Sequence, residues 1–226
     1  MTGNGLRGIA SIPPLHLSRK NGEKHLKGCL QQSSATVWDE IQAAWGLKPY
    51  HGFRHLSGSA LTVRIRPGDN LLLLKAIQMA RPGDVLVVDG SGVLSRAVIG
   101  GIMRAMAIKA GIAGVVVNGA IRDREKWMGG ELPVFALGYV HRGPSTDGGG
   151  EINVPVACAG MIVNPGDLIV GDADGVVAVG VDELPNVYAR CTELLDREAN
   201  ILKSIAAGTL DPNRFDEQLR DKGCPV

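Results

Sequence analysis

The run Gly100-Gly101-Ile102-Met103-Arg104-Ala105-Met106-Ala107-Ile108-Lys109-Ala110-Gly111, followed by Ile112-Ala113-Gly114-Val115-Val116-Val117-Asn118-Gly119-Ala120-Ile121-Arg122-Asp123, decides the fold class. A glycine pair opens a helix of Ala, Met, Ile and Lys that Gly111 ends, and Gly114 to Val117 is a continuous apolar strand. Upstream, Pro82-Gly83-Asp84 launches Val85-Leu86-Val87-Val88, a run typical of a strand buried on both faces. Before it, Gly58 to Ile65 reads as a strand, and Pro67-Gly68-Asp69 turns the chain into a helix from about Asn70 to Ala80. Downstream, Pro133 to Leu137 completes a further strand-helix-strand step. Strands alternating with helices predict a parallel or mixed sheet with covering helices.

Beyond Tyr139 the pattern changes. A polar, glycine-rich loop from Arg142 to Glu151 precedes short strands near Val154–Ala157, Met161–Val163, Leu168–Asp172 and Gly175–Val179. Asn164-Pro165-Gly166-Asp167 and Asp172-Ala173-Asp174-Gly175 are turn signals between them, giving a second, largely antiparallel layer. Apolar spacing predicts helices over Ala35–Trp45, stopped by Gly46, and over Asp182–Ala207. The expected organisation is an N-terminal arm over 1–31, an α/β domain over 32–181, and a C-terminal helix and tail over 182–226.

With 226 residues, 45% of them hydrophobic and 21% charged, the chain can bury a full core. Its 24 Lys and Arg against 23 Asp and Glu leave a net charge of +1, so no long-range field attracts nucleic acid or a membrane surface. A small-molecule ligand is expected. No stretch approaches the roughly 20 apolar residues of a membrane span, and the first residues lack the apolar region of a signal peptide. Cys29, Cys158, Cys191 and Cys224 lie far apart with no metal-site spacing. Reduced thiols and a cytoplasmic location are the expectation.

The two loops that end in helices, Gly100–Met103 and Gly119–Asp123, sit where neighbouring parallel strands bring loops together, at the carboxyl edge of the sheet. Backbone N–H groups at a helix start can bind a carboxylate, and glycine permits close approach. Arg122 offers a planar fork for a carboxylate or developing enolate, and Asp123 offers a hard oxygen to Mg²⁺ or Mn²⁺. From the residues alone two readings stay open: a site for a metal-bound 2-keto acid, or a helix cap beside packing glycines.

The strings GGIMRAMAIKAGIAGVVVNGAIRD, PVFALG and NVPVACAGMIVNPGDLIVGDADGVVAV resemble the family that unites 4-hydroxy-4-methyl-2-oxoglutarate aldolases, 4-carboxy-4-hydroxy-2-oxoadipate aldolases and the regulator of ribonuclease activity A. The likeness runs from about Ser34 to Val179. It implies a three-layer β/β/α swivelling-domain (RraA-like) fold, assembled as trimers or hexamers with sites at subunit contacts. It further implies substrate binding by Gly100, Gly101, Ile102, Met103 and Arg122, and a divalent metal at Asp123, with Arg122 and Asp123 catalytic. Glu198 is the candidate for a glutamate that reaches the metal through water, often from the adjacent subunit. Some aldolase members carry an acidic residue where Gly101 stands, and its absence here leaves the metal fewer protein partners.

The implied activity is metal-dependent retro-aldol cleavage of a 4-hydroxy-2-keto acid to pyruvate, with oxaloacetate decarboxylation by the same enolate chemistry. Competing readings are a non-catalytic ribonuclease-binding regulator and a lyase or hydratase for another keto acid. Gly90-Ser91-Gly92 lacks the third glycine of a dinucleotide-binding turn, Asp89 suits a turn cap, and Asp172 and Asp174 suit a hairpin turn. His51, His55 and His141 are isolated, and Trp38, Trp45 and Trp127 are expected to pack on helices.

Overall fold

The computed structural model describes residues 41–52 and 54–225. In chain order the strands are β1 (Ile41–Ala43), β2 (Lys48–Pro49), β3 (Leu56–Ile65), β4 (Asp84–Asp89), β5 (Ala97–Ile99), β6 (Gly114–Ile121), β7 (Val134–Tyr139), β8 (Gly150–Ile152), β9 (Val156–Cys158), β10 (Met161–Val163), β11 (Leu168–Gly171) and β12 (Val176–Val179). The helices are α1 (Leu71–Met79), α2 (Gly101–Lys109), α3 (Arg124–Met128), α4 (Leu184–Ala206) and α5 (Asp216–Asp221).

Four neighbouring strands, β3, β4, β6 and β7, run parallel, with Val85 beside Ala60 on one side and Gly114 on the other. The alternation of a strand sends Leu86, Val88, Val115 and Val117 to one face, where they pack on Leu73 and Ile77 of α1 and Met103 and Ala107 of α2. Val85, Val87, Val116 and Phe135 go to the other face, against Val156 and Cys158 of β9 and Met161 and Val163 of β10. Helices, a mixed sheet and a small antiparallel pair therefore form the β/β/α layers expected.

Three expectations are corrected. Residues 41–43 form a strand, pairing antiparallel with Val177–Val179, where helical spacing predicted a helix; residues 35–40 of that prediction, Trp38, and the arm over 1–31 lie outside the described residues. Only Ile41 of the three is buried, and pairing covers the open edge of β12, a long-range demand that local periodicity does not carry. Trp45, accordingly, is 83% exposed instead of packed on a helix. The second layer is smaller than predicted, because β11 and β12 extend the main sheet antiparallel from β3 and, among the described residues, only β9 and β10 form a separate sheet. The thiol expectation also changes: Cys158 and Cys224 are free, but Cys191 is disulfide-bonded. Among the described residues no helix is long and apolar enough to cross a membrane.

Candidate active site

β5 is a three-residue strand laid parallel against the end of β6, with Ala97 beside Ala120 and Ile99 beside Ile121. Both strands finish at the same level, so the segments that follow them, Gly100–Gly101 and Arg122–Asp123, meet. The Arg122 N–H donates to the Ile99 carbonyl at 3.0 Å. The Arg122 carbonyl accepts from Nε1 of the fully buried Trp127 at 2.9 Å, which fixes the turn from below. Asp123 takes a left-handed conformation, φ 59° and ψ 44°, tolerated by aspartate better than by most residues.

That turn aims the Asp123 carboxylate back at α2, where Oδ2 accepts the Gly101 N–H at 2.7 Å. A side chain on either glycine would require its neighbours to shift. A Cβ on Gly100 would come within 2.8 Å of Arg122 Cγ, 2.9 Å of Arg122 Nε and 2.9 Å of Asp123 Oδ2. On Gly101 it would lie 2.7 Å from Lys126 Cδ, 2.9 Å from Lys126 Nζ and 3.1 Å from Asp123 Oδ2. Arg122 thus lies over Gly100 and Lys126 over Gly101, with the Asp123 carboxylate beside both.

The N–H groups of Gly101, Ile102 and Met103 precede the first helical bond of α2, from Arg104 N–H to the Gly100 carbonyl. The expectation of a free helix start is corrected at Gly101, whose N–H Asp123 already takes; Ile102 and Met103 remain for a ligand. Their side chains differ in accessibility. The Met103 side chain is core, with Sδ 3.2 Å from Asn70 Nδ2, and the Ile102 side chain is 77% exposed.

The other wall is the loop from Arg142 to Gly149. A Cβ at Gly143 would sit 3.0 Å from Arg122 Nη1, and the Gly143 carbonyl accepts from Arg96 Nη1 at 3.0 Å. Asp69, 1% exposed, anchors this loop: its Oδ2 accepts the Ser145 hydroxyl at 2.8 Å and the Asp147 N–H at 2.6 Å, and its Oδ1 the Leu71 N–H at 2.9 Å. Burial alone would raise the Asp69 pKa, but these bonds and one from the Gly148 N–H outweigh it and hold the carboxyl below its ordinary value.

Glu198 is not brought to this centre within the protomer. α4 seats Leu184, Val187 and Cys191 on Ile41, Val170 and Val179, so it lies along β1, β11 and β12, beyond β3 and β4 from β6. Glu198 Oε2 is buried there and has no hydrogen-bond partner among the described residues. Nor do the described residues contain a group of three or more His, Cys, Asp or Glu able to hold a metal. Asp123 alone still suits Mg²⁺, which is reluctant to lose water and is commonly held by one or two carboxylates.

Lys126 was not singled out by sequence reasoning. Its signal was spacing: three residues after Asp123 at the start of a helix, it falls on the same face. The features set aside behave as turns and packing. Asp89 Oδ1 accepts the Ser91 N–H, Asp172 Oδ1 accepts the Asp174 N–H, and the His51 ring stands edge-on to Phe135.

Residues 34–178 match the family model described as RraA-like, Aldolase/RraA. The chain belongs to the RraA-like family. A protein of Halalkalibacterium halodurans, provisionally named 4-hydroxy-4-methyl-2-oxoglutarate aldolase, is 44% identical over 144 residues, 64% of this chain and 69% of that protein. A Thermus thermophilus protein with the same provisional name is 36% identical over 130 residues, 58% of this chain and 79% of its own. Among solved RraA-like structures, the RNA-processing inhibitor RraA of Thermus superposes with a TM-score of 0.59 at 32% identity, covering 66% of this chain and 93% of that one. A Streptomyces coelicolor member, described as unusual within the RNase ES inhibitor RraA family, gives 0.67 at 27% identity, covering 77% and 93%.

Proposed function

We propose that this RraA-like protein is a divalent-metal-dependent class II aldolase, using Mg²⁺ or Mn²⁺ held at Asp123. It cleaves a 4-hydroxy-2-keto acid of the 4-hydroxy-4-methyl-2-oxoglutarate or 4-carboxy-4-hydroxy-2-oxoadipate type to pyruvate and a second keto acid. The observation that carries this reading is the convergence of Arg122, Asp123 and the start of α2 around a glycine pair, of which Gly100 has no room for a Cβ beside Arg122. The provisional names of the Halalkalibacterium and Thermus relatives support it.

The chain's own groups have distinct tasks. Backbone N–H groups of Ile102 and Met103 orient the substrate's 1-carboxylate at the helix start, where partial positive charge favours it. The Arg122 guanidinium, held between Gly100 and Gly143, stabilises negative charge as it grows on the C2 oxygen. A bound divalent cation supplies Lewis acidity to that keto group. The C4 hydroxyl proton passes to water, the C3–C4 bond breaks, its electron pair enters the C2 enolate, and protonation at C3 gives pyruvate. With oxaloacetate the departing fragment is CO₂.

The proposed assembly is a homotrimer or homohexamer. Leu202 and Ile205, more than half exposed on α4, suit contact with a second copy, and Glu198 on the same face would reach that copy's Asp123 through water only if its carboxylate, buried at Oε2, turned outward. A ribonuclease-binding role is the second reading, favoured by the inhibitors among the structural relatives. The test is pyruvate release from 4-hydroxy-4-methyl-2-oxoglutarate and oxaloacetate with Mg²⁺ or Mn²⁺, and with excess chelator. Release abolished by chelator supports the aldolase. No release with either metal, together with capture of a ribonuclease by the immobilised protein, supports the regulator.

A further inference from the structure

We infer that Lys126 is a specificity residue whose ammonium binds the second, distal carboxylate of a dicarboxylic 2-keto acid, the keto-acid end of which lies at Arg122. The inference rests on the keto-acid reading above and extends it to a residue outside the Arg122-Asp123 pair.

Lys126 lies on the exposed face of α3. Nothing buries Lys126, yet its chain folds back over the first residue of α2, with Cδ and Nζ filling the space that a side chain on Gly101 would need. Arg122 fills the corresponding space at Gly100. Because adjacent Cα atoms are only about 3.8 Å apart, two cations stand side by side over one helix start, with a single carboxylate, Asp123, between them. One cation suffices for the shared 1-carboxylate and keto group of such acids. A second, aimed at the same spot, matches a ligand with a second negative end.

Space for that end lies on the Lys126 side. A wide depression of about 460 Å³ opens there, lined by Gly101, Ile102, Ala105, Met106, Lys109 and Lys126. Among the described residues that line it, the charged groups are the two lysines and the rest are apolar. A carbon chain can lie on Ile102 and Met106 while its terminal carboxylate meets the ammonium, whereas a monocarboxylate forgoes that contact and binds more weakly.

The test separates this inference from the catalytic one by measuring binding. 2-Oxoglutarate and 2-oxopentanoate share their keto-acid end and differ at the distal carboxylate. Calorimetric titration of each into the full chain under saturating Mg²⁺ gives a ratio of dissociation constants. The wild-type protein is expected to prefer 2-oxoglutarate by about ten- to a hundredfold, the range of one charge-assisted hydrogen bond. Lys126→Gln should collapse that ratio toward one, and Lys126→Arg should keep most of it. An absent preference in the wild-type protein, equal weakening of both acids in Lys126→Gln, or an unchanged ratio overturns the inference. Binding of neither acid overturns it together with the keto-acid reading. A wild-type protein that shows the preference but releases no pyruvate from any keto acid sinks the aldolase alone and leaves the Lys126 subsite standing.

Discussion

Two aspartate-bearing turns of this molecule use their carboxylates differently. In the β11–β12 hairpin, Asp172 Oδ1 accepts the N–H of Asp174, two residues away, and the turn closes on itself. After β6, Asp123 sits in a left-handed conformation and gives Oδ2 to Gly101, in another element 22 residues earlier. A carboxylate that satisfies its own turn explains a fold. One that reaches across to a helix start, beside Arg122 and Lys126, stores a backbone conformation that the local chain does not need, and such features concentrate at functional sites.

The largest contrast should come from removing each carboxylate. Asp172→Ala is expected to cost about 1 kcal/mol of stability and leave turnover intact, while Asp123→Ala should lower pyruvate release by about a thousandfold or more. Comparable turnover in the two variants would erase the distinction. Next, Arg122→Lys keeps the charge but loses the planar fork, and kcat/KM should fall by about a hundredfold with little change in melting temperature.

The glycine pair sharpens the comparison at smaller scale. Gly100→Ala drives its Cβ into Arg122 Cγ, close to the backbone and unable to swing away, so activity should fall by about tenfold. Gly101→Ala meets the far end of Lys126, which can swing away, and presses less closely on Asp123 Oδ2, so about a twofold loss is expected. Steady-state rates of the two variants check the order.

Asp69 tests the loop that walls Arg122. Its folded pKa is depressed, so its contribution to stability is present above the unfolded carboxyl value and is lost as pH falls through the folded value. Asp69→Asn should therefore be about 1 to 2 kcal/mol less stable than wild type at pH 7, and urea melts should show the gap closing in acid. A gap that widens in acid would contradict the assignment. The smallest effect concerns thiols. Burial first, then the Asp89 charge, pushes Cys158 up to about 12, so at pH 8 a thiol reagent should label exposed Cys224 and spare Cys158 in the native protein.

The sequence carried the α/β half because strands buried on both faces are written as continuous apolar runs, as in Val85–Val88 and Val115–Val117. β11 and β12 were legible as strands, yet their membership of the main sheet depends on pairing Leu168 with Ser59, more than a hundred residues away, which no local pattern encodes. The short β1 was misread for the same reason. At the site, Arg122, Asp123 and the glycine pair were legible as residue types at strand ends, and the family resemblance gave them roles. Their contact depends on the β5–β6 register, and the place of Lys126 depends on its fold-back over Gly101, neither of which a local pattern encodes.

In the proposed reaction Asp123 would hold the divalent cation on which pyruvate formation depends. The most direct measurement is pyruvate release from 4-hydroxy-4-methyl-2-oxoglutarate by wild-type and Asp123→Ala protein across an Mn²⁺ titration. Saturable activation of the wild type and no activation of the variant at any Mn²⁺ concentration are expected. Equal activation of both proteins, or full wild-type turnover in excess chelator, would contradict it.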